Sequence, residues 1–156
     1  MFQTADLCDA HDVQVCAPLF RNFGGRASFS GPIATVQVYE DNVLYLEALE
    51  SVPAGTVIVV DGGGSTRVAL MGDRLGKIAT TRGIPGVILN AAVRDTVELG
   101  KLDVGVLALA PCPKKSFKRG EGIRDSILGF GGVIWRPGEY VYADEDGVIV
   151  SQDELV

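Results

Sequence analysis

Two short clusters near the middle of the chain have side chains that could bind a small anion and act on it. The first cluster is Gly72-Asp73-Arg74-Leu75, and the second is Arg94-Asp95. Arginine offers a planar, two-point grip on a carboxylate, and aspartate is a typical ligand of hard cations such as Mg²⁺. These residue types together favour a site for a carboxylate ligand that is assisted by a divalent cation.

The clusters have complementary roles in such a site. The N–H groups at the start of a helix, here from Gly72 to Leu75, can hold an anion without a positive side chain. Arg94 can grip the same carboxylate or a developing enolate oxygen, and Asp95 can bind a cation that takes its other ligands from water and substrate. Together, the anion-binding groups and the cation ligand favour a 2-oxo acid as the ligand. Asp73 and Glu98 are candidates for a proton relay or for support of the metal ligands.

The elements around the clusters are expected to bring them together. The segment from Arg74 to Arg82 has apolar side chains at helical spacing, and Gly83 is a residue type that commonly ends a helix. The apolar run from Val87 to Val93 predicts a buried strand. If this strand doubles back along the helix, Asp73 and Arg94 lie near its carboxyl end, where open α/β sheets usually bind ligands.

The same residues also have purely structural explanations. Asp73 precedes a helical pattern and can be its N-cap, and Asp95-Thr96-Val97-Glu98 has the D-x-x-E spacing of a capping box. Arg94 follows a mostly apolar run and therefore needs a partner or an exposed strand end. Capping and binding stay open for each aspartate alone, whereas the set together favours a site.

The spacing of these residues resembles a known signature. Asp73, twenty further residues and then Arg94-Asp95 are similar to the D-x20-R-D pattern of the class II 4-hydroxy-4-methyl-2-oxoglutarate aldolases and the related RraA-like proteins (regulator of ribonuclease activity A). The resemblance extends over essentially the whole chain and includes VVDGGGS at Val59 to Ser65 and YADEDGVIVS at Tyr142 to Ser151.

This resemblance implies a fold, an assembly and a site. The fold is α/β, a single compact swivelling β/β/α domain over residues 1–156, and the assembly is a ring-shaped homotrimer with sites near the subunit boundaries. In the site, Gly72 to Leu75 and Arg94 contact a pyruvate-like substrate, and Asp95 binds the metal, Mg²⁺ or Mn²⁺.

Two functions follow from the resemblance. One is a lyase that cleaves 4-hydroxy-4-methyl-2-oxoglutarate to pyruvate and decarboxylates oxaloacetate through a metal-stabilised enolate. The other is a non-catalytic inhibitor of ribonuclease E, which is favoured by the likeness of Phe20 to Ser30 to the regulator branch. An inhibitor needs neither Gly72-Asp73 nor Asp95, and the lyase is therefore the preferred interpretation.

Composition narrows the remaining classes of function. The chain has 156 residues, 47% of them hydrophobic, and a formal net charge of −6, which argues against direct binding of nucleic acid. No signal peptide or membrane-spanning run is apparent, so a cytoplasmic location is expected. The three cysteines lack the spacing of a zinc site or a disulfide framework.

The rest of the chain is expected to form short elements joined by turns. Helices are predicted at Thr4 to His11, with Leu7 and Cys8 facing inward, and at Val43 to Leu49. Strands are predicted at Ile33 to Tyr39, Thr56 to Val60, Val104 to Ala110, Tyr140 to Ala143 and Gly147 to Val150, and a strand is favoured within Ser65 to Met71. The basic loop from Pro111 to Gly122 is either a solvated surface loop or an electropositive rim that steers an anion. The rings of Phe20, Phe23 and Phe29 either form an apolar patch for an interface or close the protein's own core.

Overall fold

A mixed nine-stranded sheet, formed largely from runs of Val, Ile and Leu, is the centre of the fold. The computed structural model describes residues 1–156. The helices are α1 (Thr4–Ala10), α2 (Val43–Ser51), α3 (Asp73–Thr81) and α4 (Thr96–Leu99). The strands are β1 (Gln14–Val15), β2 (Arg21–Asn22), β3 (Phe29–Gln37), β4 (Val57–Asp61), β5 (Ala69–Met71), β6 (Gly86–Asn90), β7 (Ala92–Val93), β8 (Gly105–Ala108), β9 (Ala110–Pro111), β10 (Ile123–Arg124), β11 (Leu128–Phe130), β12 (Val133–Trp135), β13 (Tyr140–Asp144) and β14 (Gly147–Ser151).

The strand order of the large sheet is β1-β14-β13-β3-β4-β6-β8-β2, and β10 pairs with the second half of β3. Strands β3, β4, β6 and β8 run parallel, and the other pairings are antiparallel. A small parallel sheet, β5-β7-β9, and the hairpin β11–β12 complete the β structure. The protein is therefore an α/β fold, as the sequence predicted.

Both faces of the central strands are buried, which explains their continuous apolar sequences. In β4, Ile58 and Val60 point into a core of 22 buried residues that also contains side chains of α2 and α3. The alternate residues, Val57 and Val59, point into a second core of 14 buried residues around Trp135. The period of two along one strand thus divides its side chains between a helical layer and a β layer.

Most predicted elements are present, with three differences near the termini and the site. Leu7 of α1 is buried, but Cys8 is exposed and does not face inward as expected. The predicted strand from Val87 to Val93 is two strands, because β6 pairs within the large sheet whereas β7 pairs with β5 and β9. The predicted strand from Val104 to Ala110 is divided in the same way between β8 and β9. No helix is long and apolar enough to cross a membrane.

The ring of Phe29 packs on two glycines that face each other across β6 and β8. Gly86 and Gly105 are paired residues, and a Cβ added to either would lie less than 3.0 Å from atoms of this ring. Phe23 is buried in the other core, and Phe20 packs against the β-layer core. These rings therefore serve the protein's own cores rather than an exposed interface patch.

This packing predicts that Gly105→Ala lowers the free energy of unfolding by about 1–3 kcal/mol, because the added methyl group overlaps a buried ring that has no room to move. Gly129→Ala is the control, since no heavy atom lies within 4 Å of its added Cβ, and a change below about 0.5 kcal/mol is expected. Urea-induced unfolding measures both variants. Equal unfolding midpoints of Gly105→Ala and Gly129→Ala would contradict the close packing of Phe29 on Gly105.

Candidate functional site

The small sheet brings the two predicted clusters side by side. Gly72 directly follows β5, Arg94 directly follows β7, and these strands run parallel with Met71 opposite Val93. The N–H of Arg94 donates a hydrogen bond of 2.9 Å to the carbonyl oxygen of Met71. The clusters meet as expected, because the chain doubles back after α3 so that β7 runs parallel to β5, and both clusters lie at the carboxyl ends of these strands.

Asp95 has an unusual backbone and a closely fitted carboxylate. Its φ of 57° and ψ of 43° place it in the left-handed region, which few residues other than glycine adopt. Its Oδ2 atom accepts a hydrogen bond of 3.0 Å from the N–H of Asp73. A Cβ on Gly72 would lie less than 3.0 Å from the same oxygen, so glycine is required beside this carboxylate.

Neither aspartate caps its own helix. The N-cap of α3 is Gly72, with no side-chain cap, and Asp73 is the first residue of the helix. Asp95 precedes α4 but its carboxylate binds the N–H at the start of α3 instead. Glu98 forms an ion pair of 3.1 Å with Lys101 and lies outside the cleft described below, so the D-x-x-E capping box is absent. The capping interpretation of both aspartates was therefore wrong.

The carboxylate of Asp73 is kept in its charged form. The Nζ atom of Lys77, one helical turn along α3, lies 3.3 Å from Oδ2 of Asp73. This ammonium group is the main cause of a lowered pKa for Asp73, and hydrogen bonding with Asp95 and with the N–H of Arg74 lowers it further. The two aspartates thus form a closely spaced acidic pair beside the start of a helix.

These residues line a cleft of about 150 Å³. Gly72, Asp73, Arg74 and Leu75 form one part of its wall, with Arg94 and Asp95 beside them. The remaining polar lining comes from residues that the sequence did not single out as site residues, namely Asn42, Lys115, Ser116 and Lys118. Three residues of the basic loop thus form part of the cleft wall, while most of the loop is exposed to solvent, so the two interpretations of the loop both remain open.

The polar triplet Glu40-Asp41-Asn42 holds this basic loop in place. The carboxylate of Asp41 accepts hydrogen bonds from the N–H groups of Val43, Arg119 and Glu121 at 3.1, 2.7 and 3.4 Å. All three triplet residues are buried, which is rare for consecutive polar residues. Their position directly after a predicted strand could have indicated a functional or anchoring role in the sequence. A carboxylate that is buried there needs several hydrogen-bond donors, and these come from the basic loop.

Asn42 fixes one lysine of the loop. Its Nδ2 atom donates to the carbonyl oxygen of Leu70 at 2.9 Å, and its Oδ1 atom accepts from Nζ of Lys118 at 3.0 Å. The ammonium group of Lys118 is therefore held at the cleft by an amide that is itself tied to β5. The structure records no hydrogen bond or ion pair for the ammonium group of Lys115.

Arg94 is half-buried and has little competition for its guanidinium group. Its single protein partner is the carbonyl oxygen of Pro113, at a long 3.4 Å from Nη1. It lies between the cleft and a second, more open hollow of about 370 Å³ that also contains Asp95 and Cys112. Arg94 therefore lies at an accessible strand end, which is one of the two environments that the sequence predicted for it. The N–H donors of its guanidinium group remain available for a ligand.

Comparison with known proteins identifies a family. The family model "RraA-like: Aldolase/RraA" matches residues 4–150. A protein of Bacillus cereus that bears the name "Putative 4-hydroxy-4-methyl-2-oxoglutarate aldolase" is 51% identical over 157 residues, covering 99% of both chains. A protein of Burkholderia mallei with the same name is 50% identical over 163 residues, covering 100% of this chain and 99% of its own.

Two solved structures superimpose closely. The RNA-processing inhibitor RraA from Thermus thermophilis has a TM-score of 0.97 and 43% identity, covering 100% of this chain and 96% of its own, and this match confirms the expected fold. A Geobacillus kaustophilus structure described as S-adenosylmethionine:2-dimethylmenaquinone methyltransferase has a TM-score of 0.97 and 58% identity, with coverage of 99% and 97%. Since three different activities are named on one fold, the choice of function rests on the site.

The anchored loop generates a prediction for Asp41. Burial raises the pKa of this carboxyl group, but its backbone N–H donors lower it more, and the net result is a pKa below the ordinary 3.8. The stabilisation is therefore complete above pH 3.8 and is lost as the pH falls through the folded-state value. Asp41→Asn places an amide among N–H donors and is expected to cost about 1–3 kcal/mol of unfolding free energy at pH 7.

The cost of Asp41→Asn should shrink as the pH is lowered below 3.8. Thermal or urea unfolding of both proteins between pH 7 and pH 3 measures this difference. Asp12→Asn, at an exposed aspartate without a hydrogen-bond partner, is the matched control and should differ little from wild type at every pH. A pH-independent cost at Asp41 would show that its charge is not the anchor.

Proposed function

The chain belongs to the RraA-like family, and from that premise we propose that it is a divalent-metal-dependent lyase acting on 2-oxo acids. One observation carries the proposal: Asp95 is held in a left-handed conformation, with one carboxylate oxygen in the space left by Gly72. Strained residues of this kind cost about 1–3 kcal/mol and cluster at active sites and ligand-binding positions. The carboxylate of Asp95 provides no cap for its own helix, and it faces a cleft that contains Arg94.

The residues present fit a hard divalent cation. No group of three or more His, Cys, Asp or Glu side chains is placed to hold a metal, so a closed zinc-type site does not fit. Mg²⁺ is often held by only one or two protein carboxylates and takes water and substrate oxygens as its other ligands, and Mn²⁺ accepts similar ligands. The carboxylate of Asp95 accepts a backbone hydrogen bond from the N–H of Asp73, and the carboxylate of Asp73 lies beside it. Asp95 would hold the cation, which when bound supplies Lewis-acid stabilisation of negative charge on a substrate oxygen.

The protein's own groups suit the carboxylate end of a 2-oxo acid such as pyruvate or oxaloacetate. The guanidinium group of Arg94 can form a two-point contact with a carboxylate, and no protein acceptor faces the N–H of Leu75 in the first turn of α3. When the carbon–carbon bond breaks, its electron pair passes to the carbonyl oxygen. A fixed donor aimed at such an oxygen typically contributes about 2.7–4 kcal/mol to barrier lowering, and we assign this role to Arg94.

Proton movement is limited by the charged state of Asp73. Because Lys77 lowers its pKa, Asp73 stays charged at neutral pH and is both a poor proton donor and a weak base, so it is suited to hold a water molecule by accepting a hydrogen bond from it. Retro-aldol cleavage of 4-hydroxy-4-methyl-2-oxoglutarate requires removal of a hydroxyl proton, whereas decarboxylation of oxaloacetate does not. Both reactions leave the same enolate of pyruvate, and one site therefore serves both.

We expect Asp95→Ala to abolish oxaloacetate decarboxylation that depends on added Mg²⁺ or Mn²⁺, because the carboxylate that would hold the cation is lost. Asp125→Ala is the matched control, since Asp125 also has a positive φ, of 65°, but lies outside the cleft. Both variants carry the strain of alanine in this conformation, about 1–2 kcal/mol, and only the first should lose activity. Full metal-dependent activity in folded Asp95→Ala would reject the assignment.

The likeness to the Thermus protein favours a second function, inhibition of a ribonuclease such as ribonuclease E. Masking a basic partner would draw on the acidic surface rather than on the cleft. Asp95→Ala separates the two functions, because an inhibitor would retain its effect on RNA cleavage by the ribonuclease while the lyase activity is lost.

We also propose a homotrimer, in line with the assembly that the resemblance implies. Two large apolar side chains, Tyr39 and Ile123, remain 59% and 58% exposed and line one hollow beside Asp61. Light scattering across a dilution series, run with the oxaloacetate assay, is expected to show a trimer of the 16.5 kDa chain and a loss of activity on dissociation. A fully active monomer would contradict this assembly.

A further inference from the structure

Ser116 is a buried polar residue of the cleft whose hydroxyl group has no hydrogen-bond partner. The residue is only 5% exposed, and its Oγ atom is one of three buried side-chain polar atoms without a partner. It lines the same cleft as Arg94 and Asp95. A buried hydroxyl group without a partner is costly, so its presence beside a polar cleft calls for an explanation.

The backbone around Ser116 is fixed on both sides and cannot shift toward another partner. The preceding residue, Lys115, forms a β-bridge with Ala69, and the following residue, Phe117, forms one with Asp41. The N–H of Phe117 donates to the carbonyl oxygen of Glu40 at 2.8 Å. Only the side chain of Ser116 remains free to rotate, and its Oγ atom has no hydrogen-bond partner in the protein.

The groups that flank Ser116 suit an anion. Lys118 is held by Asn42, and Lys115 is exposed with an ammonium group that has no protein partner, so its long side chain can turn aside when a ligand enters. Two cationic side chains beside a free hydroxyl donor match the oxygens of a carboxylate better than any apolar group.

We propose that the hydroxyl group of Ser116 donates a hydrogen bond to an oxygen atom of the anionic ligand bound in this cleft. The inference rests on the proposed function and names a specificity-determining residue for it. A site with a buried polar group rejects ligands that leave this group unpaired. Ser116 thus selects for a ligand whose end near the basic loop carries an acceptor oxygen, such as a dicarboxylate.

The test compares two serines of the same kind. Ser126 also has a buried hydroxyl oxygen without a partner, but it lies outside the cleft and is the matched control. The probe is oxalate in the presence of Mg²⁺, measured by isothermal titration calorimetry with the full-length wild type, Ser116→Ala and Ser126→Ala. Thermal unfolding of each protein without metal and without oxalate is the second measurement.

Both alanine variants are expected to raise the Tm of the ligand-free protein by about 2–4 °C, because each removes an unpaired buried hydroxyl group. Only Ser116→Ala should bind oxalate roughly tenfold to a hundredfold more weakly, since a hydrogen bond to a charged group is lost. Ser116→Cys, which keeps the shape with a weak donor, should fall between wild type and alanine.

Equal oxalate affinity of wild type and Ser116→Ala overturns the inference and leaves the proposed function standing. A lower Tm of ligand-free Ser116→Ala also overturns it, because the hydroxyl group would then be a structural group with a partner in the folded protein. If wild type itself fails to bind oxalate with Mg²⁺, the site of the proposed function fails, and the role of Ser116 fails with it.

Discussion

The hydrogen bond from the N–H of Asp73 to the carboxylate of Asp95 is the constraint around which the cleft is built. It joins the first residue of α3 to the residue before α4, so the start of α3 faces this carboxylate. The partial positive charge of a helix start favours an anion at this place. The bond also requires glycine at position 72, because the carboxylate occupies the space that any other side chain would fill. The two clusters thus meet because β5 and β7 are neighbouring parallel strands. Gly72 leaves space for the carboxylate of Asp95, and Asp73 donates a hydrogen bond to it.

A second constraint is the buried triplet after β3. Glu40 accepts two hydrogen bonds from Arg67, at 2.7 and 2.9 Å, and a third from the hydroxyl group of Ser65. Asp41 and Asn42 bind the basic loop, as described above. Each member of the triplet therefore offsets its loss of hydration through several donors or through a complementary amide. The result is a basic loop that is rigid where it contacts the cleft, although most of its side chains are exposed.

Apolar periodicity predicted most of this fold because it reports directly on burial. The strands around Val59 and Ile88 are buried on both faces, and the helix that begins at Asp73 has one apolar face, so these elements were visible in the sequence. The division of residues 87–93 was not visible, since Ala91 is as apolar as its neighbours and only the pairing partners change there. The site clusters were identified by residue type and spacing. Ser116 was missed because a serine in a basic loop resembles a solvated residue. Its neighbours Lys115 and Phe117 form β-bridges with Ala69 and Asp41, which are distant in sequence, and the sequence does not reveal these pairings.

The single-residue links at Ala91 and Leu109 have a further consequence for the motion of the cleft. Strands β6 and β7 are joined through Ala91, β8 and β9 are joined through Leu109, and the N–H of Leu109 donates to the carbonyl oxygen of Ala91 at 2.9 Å. The floor of the cleft is therefore continuous with the strands of the large sheet. Amide hydrogens at the cleft floor, such as that of Arg94, which donates to Met71, should then exchange with solvent only when the central strands open. The cleft floor and the core would form one cooperative folding unit, and flexibility would be confined to the side chains of the rim.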